Sequence, residues 1–400
     1  MKVLHVTPSF EPAWHLGGVV RSLSQLCRGL ARCGVEVSVF TTDSGRDRRM
    51  PVPLNQQVES EDIKIYYFKT DFSLKYAYSR GLAEACRQHI KNFDLVHVTS
   101  FWCYPALAAI PAARHSRVPY LVSTHGTLRK ANLQDHLVKK WLYYLAVERR
   151  NVTGAAAIHY TTAMERELDA FHRFRTPSFI VPNGFNLEEF DGLMDMLEAK
   201  KIWGINPKAQ VVTFIGRLHK VKALDLLIKA MSEPPLQAQE VQLLLAGPDG
   251  GEEQALRKLA MDLGVEARVR FLGMVSPQDR NNLLAASDIL ALVSTNENFG
   301  ITPVEAMLAR VPVLLSEHVG ISREVLADGA GLVVPLKVEA IAQALGQMLA
   351  EPAKLKEMGQ RAAIKARERY DINVVGTQMA RAYEDILTGR RSPELVWSVN

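Results

Sequence analysis

Cysteine is scarce. The 400 residues hold four, at positions 27, 33, 86 and 103, all near the start of the chain and none in a Cys-x-x-Cys spacing. That arrangement argues for neither a zinc site nor a disulfide framework, and implies reduced thiols in a cytosolic protein. No apolar run approaches the roughly 18 residues of a spanning helix. The opening Met1-Lys2-Val3-Leu4-His5-Val6 meets Pro8 at once. It is too short for the apolar stretch of a signal peptide and reads as a first strand. No Asp-x-Asp element occurs, so no essential metal is expected. No basic run is interleaved with aromatics, which argues against nucleic acid as a partner. Neither sign of charge dominates: 48 Lys and Arg face 43 Asp and Glu, for a net of +5. The balance is uneven along the chain, with 24 basic against 17 acidic residues in 1–190 and 24 against 26 in 191–400. A basic first half suits an anionic membrane surface or an acidic acceptor, or is simply a solvated surface.

What is present is alternation. Short apolar runs at Val3–Thr7, Val37–Thr41, Ile63–Phe68, Leu95–Thr99, Tyr120–Ser123, Ala156–Tyr160 and Phe179–Pro182 read as strands. Between them lie amphipathic stretches such as Val19–Ala31, Leu74–Ile90 and His136–Arg150. The turn Val181-Pro182-Asn183-Gly184 closes this series, and Phe185–Asn206 is a charged, partly helical connector. A second series follows at Val211–Ile215, Val241–Leu245, Val269–Leu272, Ile289–Val293, Val313–Leu315 and Leu332–Val334, then a terminal helix over Ile372–Leu387 and a loose tail, Arg390–Asn400. Strand–helix alternation implies parallel sheets covered on both faces, with ligands beyond the carboxyl ends of the strands.

Four stretches at such ends carry possible chemistry. Gly17-Gly18 precedes a helix, where bare backbone and a helix start suit a phosphate, although most Gly-Gly pairs are turns and this one is not a GxGxxG fingerprint. His125 follows the strand Tyr120–Ser123, as a ligand-facing or a structural loop histidine. Gly216-Arg217 and Lys222 follow the first strand of the second series, where a planar guanidinium and a point charge can neutralise a diphosphate or simply face solvent. The fourth stretch, Ser294–Arg310, holds Glu297, Asn298, Phe299 and Gly300 in a loop, then Thr302-Pro303-Val304-Glu305 opening a helix. Thr302 reads as the N-cap with Pro303 at the first helical position. Glu297 and Glu305 flank this start and can accept from hydroxyls while its N–H groups hold a phosphate, a combination that suits a nucleotide sugar. The competing reading is a Thr302/Glu305 capping box. The polar connection Asp43–Asp62, with Arg46, Arg48 and Arg49, is long enough to border a functional site.

Glu297-Asn298-Phe299-Gly300 through Glu305-Ala306-Met307 resembles the E-x7-E element of the retaining, GT-B glycosyltransferases of family four (group 1), which include sucrose synthase-like and mannosyl-transferring enzymes. Gly216-Arg217 with Lys222 resembles that family's G-R-x4-K, with Ala223 where a glycine is commoner. Gly17-Gly18, His125, Pro182-Asn183-Gly184, Gly247 after Leu244-Leu245-Ala246, and Phe271-Leu272-Gly273-Met274-Val275 match further family positions, so the similarity covers almost the whole chain. The run from His125 to Thr162 is similar to the subgroup that builds bacterial surface polysaccharides. Within it, Lys139, Lys140, Trp141, Tyr143 and Tyr144 form a basic-aromatic helix that fits a membrane-bound lipid acceptor, while Leu142, Leu145 and Ala146 fit an ordinary core face.

The resemblance implies two Rossmann-like domains facing a central cleft. Residues 1–185 would serve the acceptor and 186–371 the donor, with 372–400 forming a terminal helix that crosses back, plus a tail. It implies metal-independent transfer of a hexosyl group, with retention, from a nucleotide diphosphate sugar to a saccharide or lipid-linked acceptor at the cytoplasmic face of the membrane. No cofactor beyond the donor is implied. The catalytic set is His125, Arg217, Lys222 and Glu297. Donor binding falls to Gly17, Gly18, Gly216, Arg217, Lys222, Gly247, Met274, Glu297, Phe299, Gly300, Ile301 and Glu305. Rival readings are a nucleotide-sugar epimerase of the same fold, a phosphorylase and a non-catalytic sugar-nucleotide binder.

Overall fold

The structure, a computed structural model, describes residues 1–99, 101–129, 141, 143–170, 176–237 and 239–390. It divides into two compact units. The first is Met1–Phe185 with the chain from Tyr370 on; the second is Asn186–Arg369.

The first unit is built on eight strands: β1 (Lys2–Val6), β2 (Glu36–Thr42), β3 (Gln57–Ser60), β4 (Ile63–Phe68), β5 (Leu95–Thr99), β6 (Tyr120–Ser123), β7 (Ala157–Tyr160) and β8 (Ser178–Ile180). Their order is β3-β4-β2-β1-β5-β6-β7-β8, and every pairing is parallel except β3 with β4. The inner strands read as apolar runs because both faces are covered. Leu4, Val6, Val96, Val98 and Val122 face one core, and Val3, Val37, Leu95, Leu121 and Ala157 the other.

Three differences from the sequence reading have local causes. The connection 43–62 is not structureless: Gln57–Ser60 pairs antiparallel with β4 through a turn in which Glu61 and Asp62 have φ of 47° and 64°. This strand sits at the sheet edge, where polar residues are tolerated, so its sequence lacks an apolar signal. The helix expected over 74–90 begins only at Arg80, because the Ser79 side chain caps it by accepting from the Leu82 N–H at 3.2 Å. Leu145, expected on a core face, is exposed, while Tyr144 is buried. The backbone over Tyr144–Glu148 winds as a wider π-helix, which changes the register of side chains around the axis.

The terminal helix, Ile372–Thr388, packs on the helix Gly18–Arg32 within the first unit. Gly29 and Gly376 permit the approach: a Cβ on Gly29 would lie 2.5 Å from the Ile372 carbonyl oxygen. Val375, Met379, Ala382 and Tyr383 join the core on that face.

The second unit holds β9 (Gln210–Ile215), β10 (Val241–Ala246), β11 (Val269–Gly273), β12 (Ile289–Leu292), β13 (Val313–Ser316) and β14 (Gly331–Val334). Their order is β11-β10-β9-β12-β13-β14, all parallel. The chain reverses its direction of progress between β9 and β12. In an open parallel sheet such a reversal opens a crevice at the carboxyl edge.

Candidate functional site

The carboxyl edge of the second sheet gathers most of the expected donor residues. Gly216-Arg217 leaves β9, Gly247 leaves β10, Met274 leaves β11, and the loop with Glu297 leaves β12. Gly247 is there because backbone must meet backbone, while a Cβ on Gly216 would press on the Phe214 ring at 3.0 Å. A Cβ on Gly247 would lie 1.9 Å from the Gly216 carbonyl oxygen, and Gly247 has φ 139°. The Gly247 N–H donates to the Gly273 carbonyl at 2.7 Å, and the Leu218 N–H to the Pro248 carbonyl at 2.9 Å. Three strand ends are thereby laced into one shelf. Arg217 is exposed on it, and Met274 is 73% exposed beyond β11.

Lys222 Nζ donates to Glu297 Oε2. Their side chains retain 18% and 23% exposure, so the pair is reachable from solvent. The residues assigned to a diphosphate and to a sugar are thus neighbours on the two strands that flank the reversal. The loops are also joined by backbone, Thr295 N–H to Val221 carbonyl at 2.8 Å. Ala223 follows in the left-handed region (φ 49°, ψ 42°), which glycine adopts without strain.

The helix after Phe299 starts earlier than the sequence suggested. It spans Ile301–Leu308, and its N-cap is Gly300, with φ 105° and ψ 70°. Thr302 is therefore inside the first turn rather than the cap, Pro303 is the third helical residue, and the Thr302/Glu305 capping box is not the arrangement at this terminus. The reason is Gly300, whose backbone conformation is open to glycine and strained for threonine. Phe299 is buried, and Ile301 is half-buried at the helix start.

Glu305 is inside the protein. Its Oε1 accepts from Arg280 Nη1 at 2.8 Å, with the two side chains only 1% and 9% exposed. Arg280 also reaches Asn281 Oδ1 at 2.9 Å and Glu189 Oε2 at 3.4 Å. Sequence reading passed over Arg280. It lies 25 positions before Glu305, in a helix (Pro277–Ala285) whose polar residues look solvated.

In the first unit, Gly17 (φ 87°) is the N-cap of the helix Gly18–Arg32 and stands beyond β1. His15 Nε2 lies 3.0 Å from the Gly45 carbonyl oxygen, tying this turn to the start of the polar connection. Arg49 serves structure there, donating to Asp43 at 2.8 Å and to the Thr70 carbonyl at 2.6 Å, while Arg46 and Arg48 are exposed. His125 stands beyond β6 with φ 43°, half-buried. Burial lowers its pKa, and the Glu165 carboxylate opposes that shift. Lys139, Lys140 and Leu142, the Ala146 side chain and residues 391–400 lie outside the described residues. Of the basic-aromatic group, Trp141 is 51% exposed, Tyr143 half-buried and Tyr144 buried.

A second feature of this unit went unread. His5, His97 and His159 occupy the third position of three similar strands, Val3-Leu4-His5-Val6-Thr7, Leu95-Val96-His97-Val98-Thr99 and Ala157-Ile158-His159-Tyr160-Thr161. All three are buried. Hydrogen bonding sets the tautomers of His97 and His159. The Val181 carbonyl can only accept, so His159 Nε2–H donates to it at 2.8 Å. His159 Nδ1 then accepts from Ser123 Oγ at 2.6 Å, Ser123 Oγ accepts from His97 Nε2 at 2.5 Å, and His97 Nδ1 accepts from Tyr383 Oη at 2.6 Å. The chain of donors runs one way, from the terminal helix through three strands, with every histidine neutral. Burial, reinforced by His159, holds the His5 pKa down to about 3. Burial likewise holds that of His159 at about 4 and that of His97 well below the ordinary value. The repeated apolar-apolar-His-apolar-Thr pattern was the available signal.

The fold is that of the GT-B glycosyltransferases. The described structure superposes on sucrose-phosphate synthase from Thermosynechococcus elongatus with a TM-score of 0.76, 21% identity and coverage of 97% of this chain and 99% of that one. It superposes on Anabaena HepE in complex with UDP and glucose with a TM-score of 0.74, 21% identity and coverage of 96% and 100%. The family models "Glycosyl transferases group 1" and "Glycosyl transferase 4-like domain" match residues 195–365 and 17–184. The D-inositol 3-phosphate glycosyltransferase of Nocardia farcinica is 30% identical over 386 residues, covering 91% of this chain and 84% of that protein. The chain belongs to the group 1 glycosyltransferases. No helix among the described residues is long and apolar enough to cross a membrane.

Proposed function

We propose that the protein is a retaining hexosyltransferase that takes its sugar from a nucleotide diphosphate sugar and passes it to a hydroxyl acceptor in the assembly of a bacterial surface polysaccharide. The observation that carries the donor half is the Lys222–Glu297 pair, which joins the loop after β9, where Arg217 stands exposed, to the loop after β12 that leads into the Gly300-capped helix. Cleaving the anomeric C–O bond places negative charge on the departing phosphate and positive charge on the ring. Two cations and a helix start pre-aimed at that phosphate favour the charge-separated state. Gly216 and Gly247 let backbone approach the nucleotide, and Glu305, held by Arg280, accepts from its ribose hydroxyls. Glu297 accepts from hydroxyls of the transferred sugar. His125 is assigned to the sugar as well, and the first unit to the acceptor. The leaving phosphate takes the proton of the attacking hydroxyl on the same face of the ring, which gives retention without a protein base. The cations supply the charge neutralisation that a metal supplies elsewhere, so no metal is assigned. A lipid-linked acceptor places the protein at the cytoplasmic face of the membrane, with Trp141 as a contact.

A different acceptor class has one specific support, the name of the Nocardia relative, whose substrate is an inositol phosphate. Melting-point shifts against UDP-glucose, GDP-mannose and ADP-glucose select the donor. Nucleotide release is then measured with undecaprenyl-linked saccharides and with inositol phosphates. Release only with the lipid-linked saccharide supports the polysaccharide reading, release only with inositol phosphate replaces its acceptor half, and sugar isomerisation without acceptor replaces transfer by epimerisation.

A further inference from the structure

The peptide carrying His125 is gripped by a carboxylate from another element. Glu165, in the short helix Ala163–Glu167, is 1% exposed. Its Oε2 accepts from the N–H and the hydroxyl of Thr161, both at 2.7 Å. Its Oε1 reaches about forty positions back, accepting from Thr124 Oγ1 at 2.6 Å and from the Gly126 N–H at 2.5 Å. Those two residues bracket His125, whose φ of 43° is a region that non-glycine residues occupy only where neighbours over-determine it. Local bonds to Thr161, just before the N-cap Thr162, occupy one oxygen of Glu165. The other is committed to the peptide on either side of the histidine.

We propose that Glu165 is a positioning residue for transfer, clamping the Thr124–Gly126 peptide so that the His125 imidazole is held at the carboxyl edge of the first sheet. This rests on the reading that His125 faces the transferred sugar. Four donors converge on one carboxylate. A glutamine has one oxygen and an NH2 group, so Glu165→Gln sets donor against donor at one end whichever way the amide turns. Thr124→Val removes a single clamp bond and leaves the Thr161 side intact. The charge of Glu165 also bears on the imidazole directly, raising its pKa against the lowering by burial. Two buried histidines also bear on it: His159, with ring centroids 6.5 Å apart, and His97, whose own pKa His125 helps to lower.

The test uses the full chain labelled on histidine, with the His125 resonance identified by its loss in His125→Ala. Glu165→Gln is expected to move the His125 titration midpoint down by about half a pH unit or more. It is expected to lower turnover of the nucleotide sugar about tenfold or more while its KM stays within about threefold. Thr124→Val follows in the same direction with a smaller loss. Glu165→Gln combined with His125→Ala should be no slower than His125→Ala alone. A midpoint that stays put, or a Glu165→Gln loss that multiplies with that of His125→Ala, overturns the clamp. Unchanged turnover in His125→Ala overturns instead the functional reading beneath it, and the midpoint shift distinguishes the two failures.

Discussion

Removing Arg280 should harm the protein more than removing the carboxylate it serves. With Glu305 1% exposed and its guanidinium partner 2.8 Å away, Arg280→Ala leaves a buried carboxylate without its counter-charge. Breaking a buried pair from one side in this way costs about 3–5 kcal/mol. Glu305→Ala is milder, because Arg280 keeps Glu189 at 3.4 Å, itself 32% exposed to solvent. About 1–3 kcal/mol is expected there, against the ~1 kcal/mol of a lost helix cap. For a unit of this size, 3–5 kcal/mol corresponds to a fall in Tm of about 6–20 °C. Urea unfolding of Arg280→Ala, Glu305→Ala and the double variant measures all three. The double variant should be less destabilised than the sum of the singles, by about 1–3 kcal/mol. If Arg280→Ala loses less than about 1 kcal/mol, or the two losses simply add, the reasoning about a buried, mutually dependent pair is wrong.

Other consequences concern the histidine row and the turn after Lys222. His5 and His159 have pKa values lowered to about 3 and about 4, and that of His97 is held well below its ordinary 6.5. The unfolded chain binds these protons first, so stability is full above about pH 6.5 and falls toward pH 4, by up to about 1.4 kcal/mol per pH unit for each histidine. Unfolding midpoints at pH 7, 6 and 5 should therefore decline, His5→Phe should flatten the decline, and a slope unchanged by His5→Phe contradicts the account. At Ala223, φ 49° puts an alanine where glycine is unstrained. Ala223→Gly should leave stability level or raise it by up to about 1 kcal/mol, the relief of strain exceeding the added unfolded-state entropy, and a loss above about 1 kcal/mol would show that the turn is not strained.

The sheets were legible because parallel strands buried on both faces must be apolar, and runs such as Leu95–Thr99 and Val241–Ala246 carry that signal without help from tertiary structure. Gln57–Ser60 was not, since an edge strand needs no apolar residues. Gly300 could have been recognised as the cap, but Thr302-Pro303 offered a stronger local pattern two residues too late. What the sequence hid were the side chains that act across distance. Arg280 reads as a surface arginine until the fold brings Glu305 against it, and nothing local in the chain pairs Glu165 with Thr124 and Gly126, which follow β6. Electrostatic partners that are far apart in the chain leave no periodicity. The three histidines are the exception, because their strands repeat a pattern and the register places His5 beside His97.

On the proposed function, the carboxyl edge of the second sheet grips the diphosphate of a nucleotide sugar through Arg217 and Lys222. Calorimetric titration of the selected nucleotide sugar into the wild type and into the Arg217→Ala/Lys222→Ala variant tests it most directly. Removing both charge-assisted hydrogen bonds together should weaken binding by about 3 kcal/mol, roughly a hundredfold in Kd, with the Tm of the variant little changed. An equal Kd in the two proteins would mean that the diphosphate binds elsewhere.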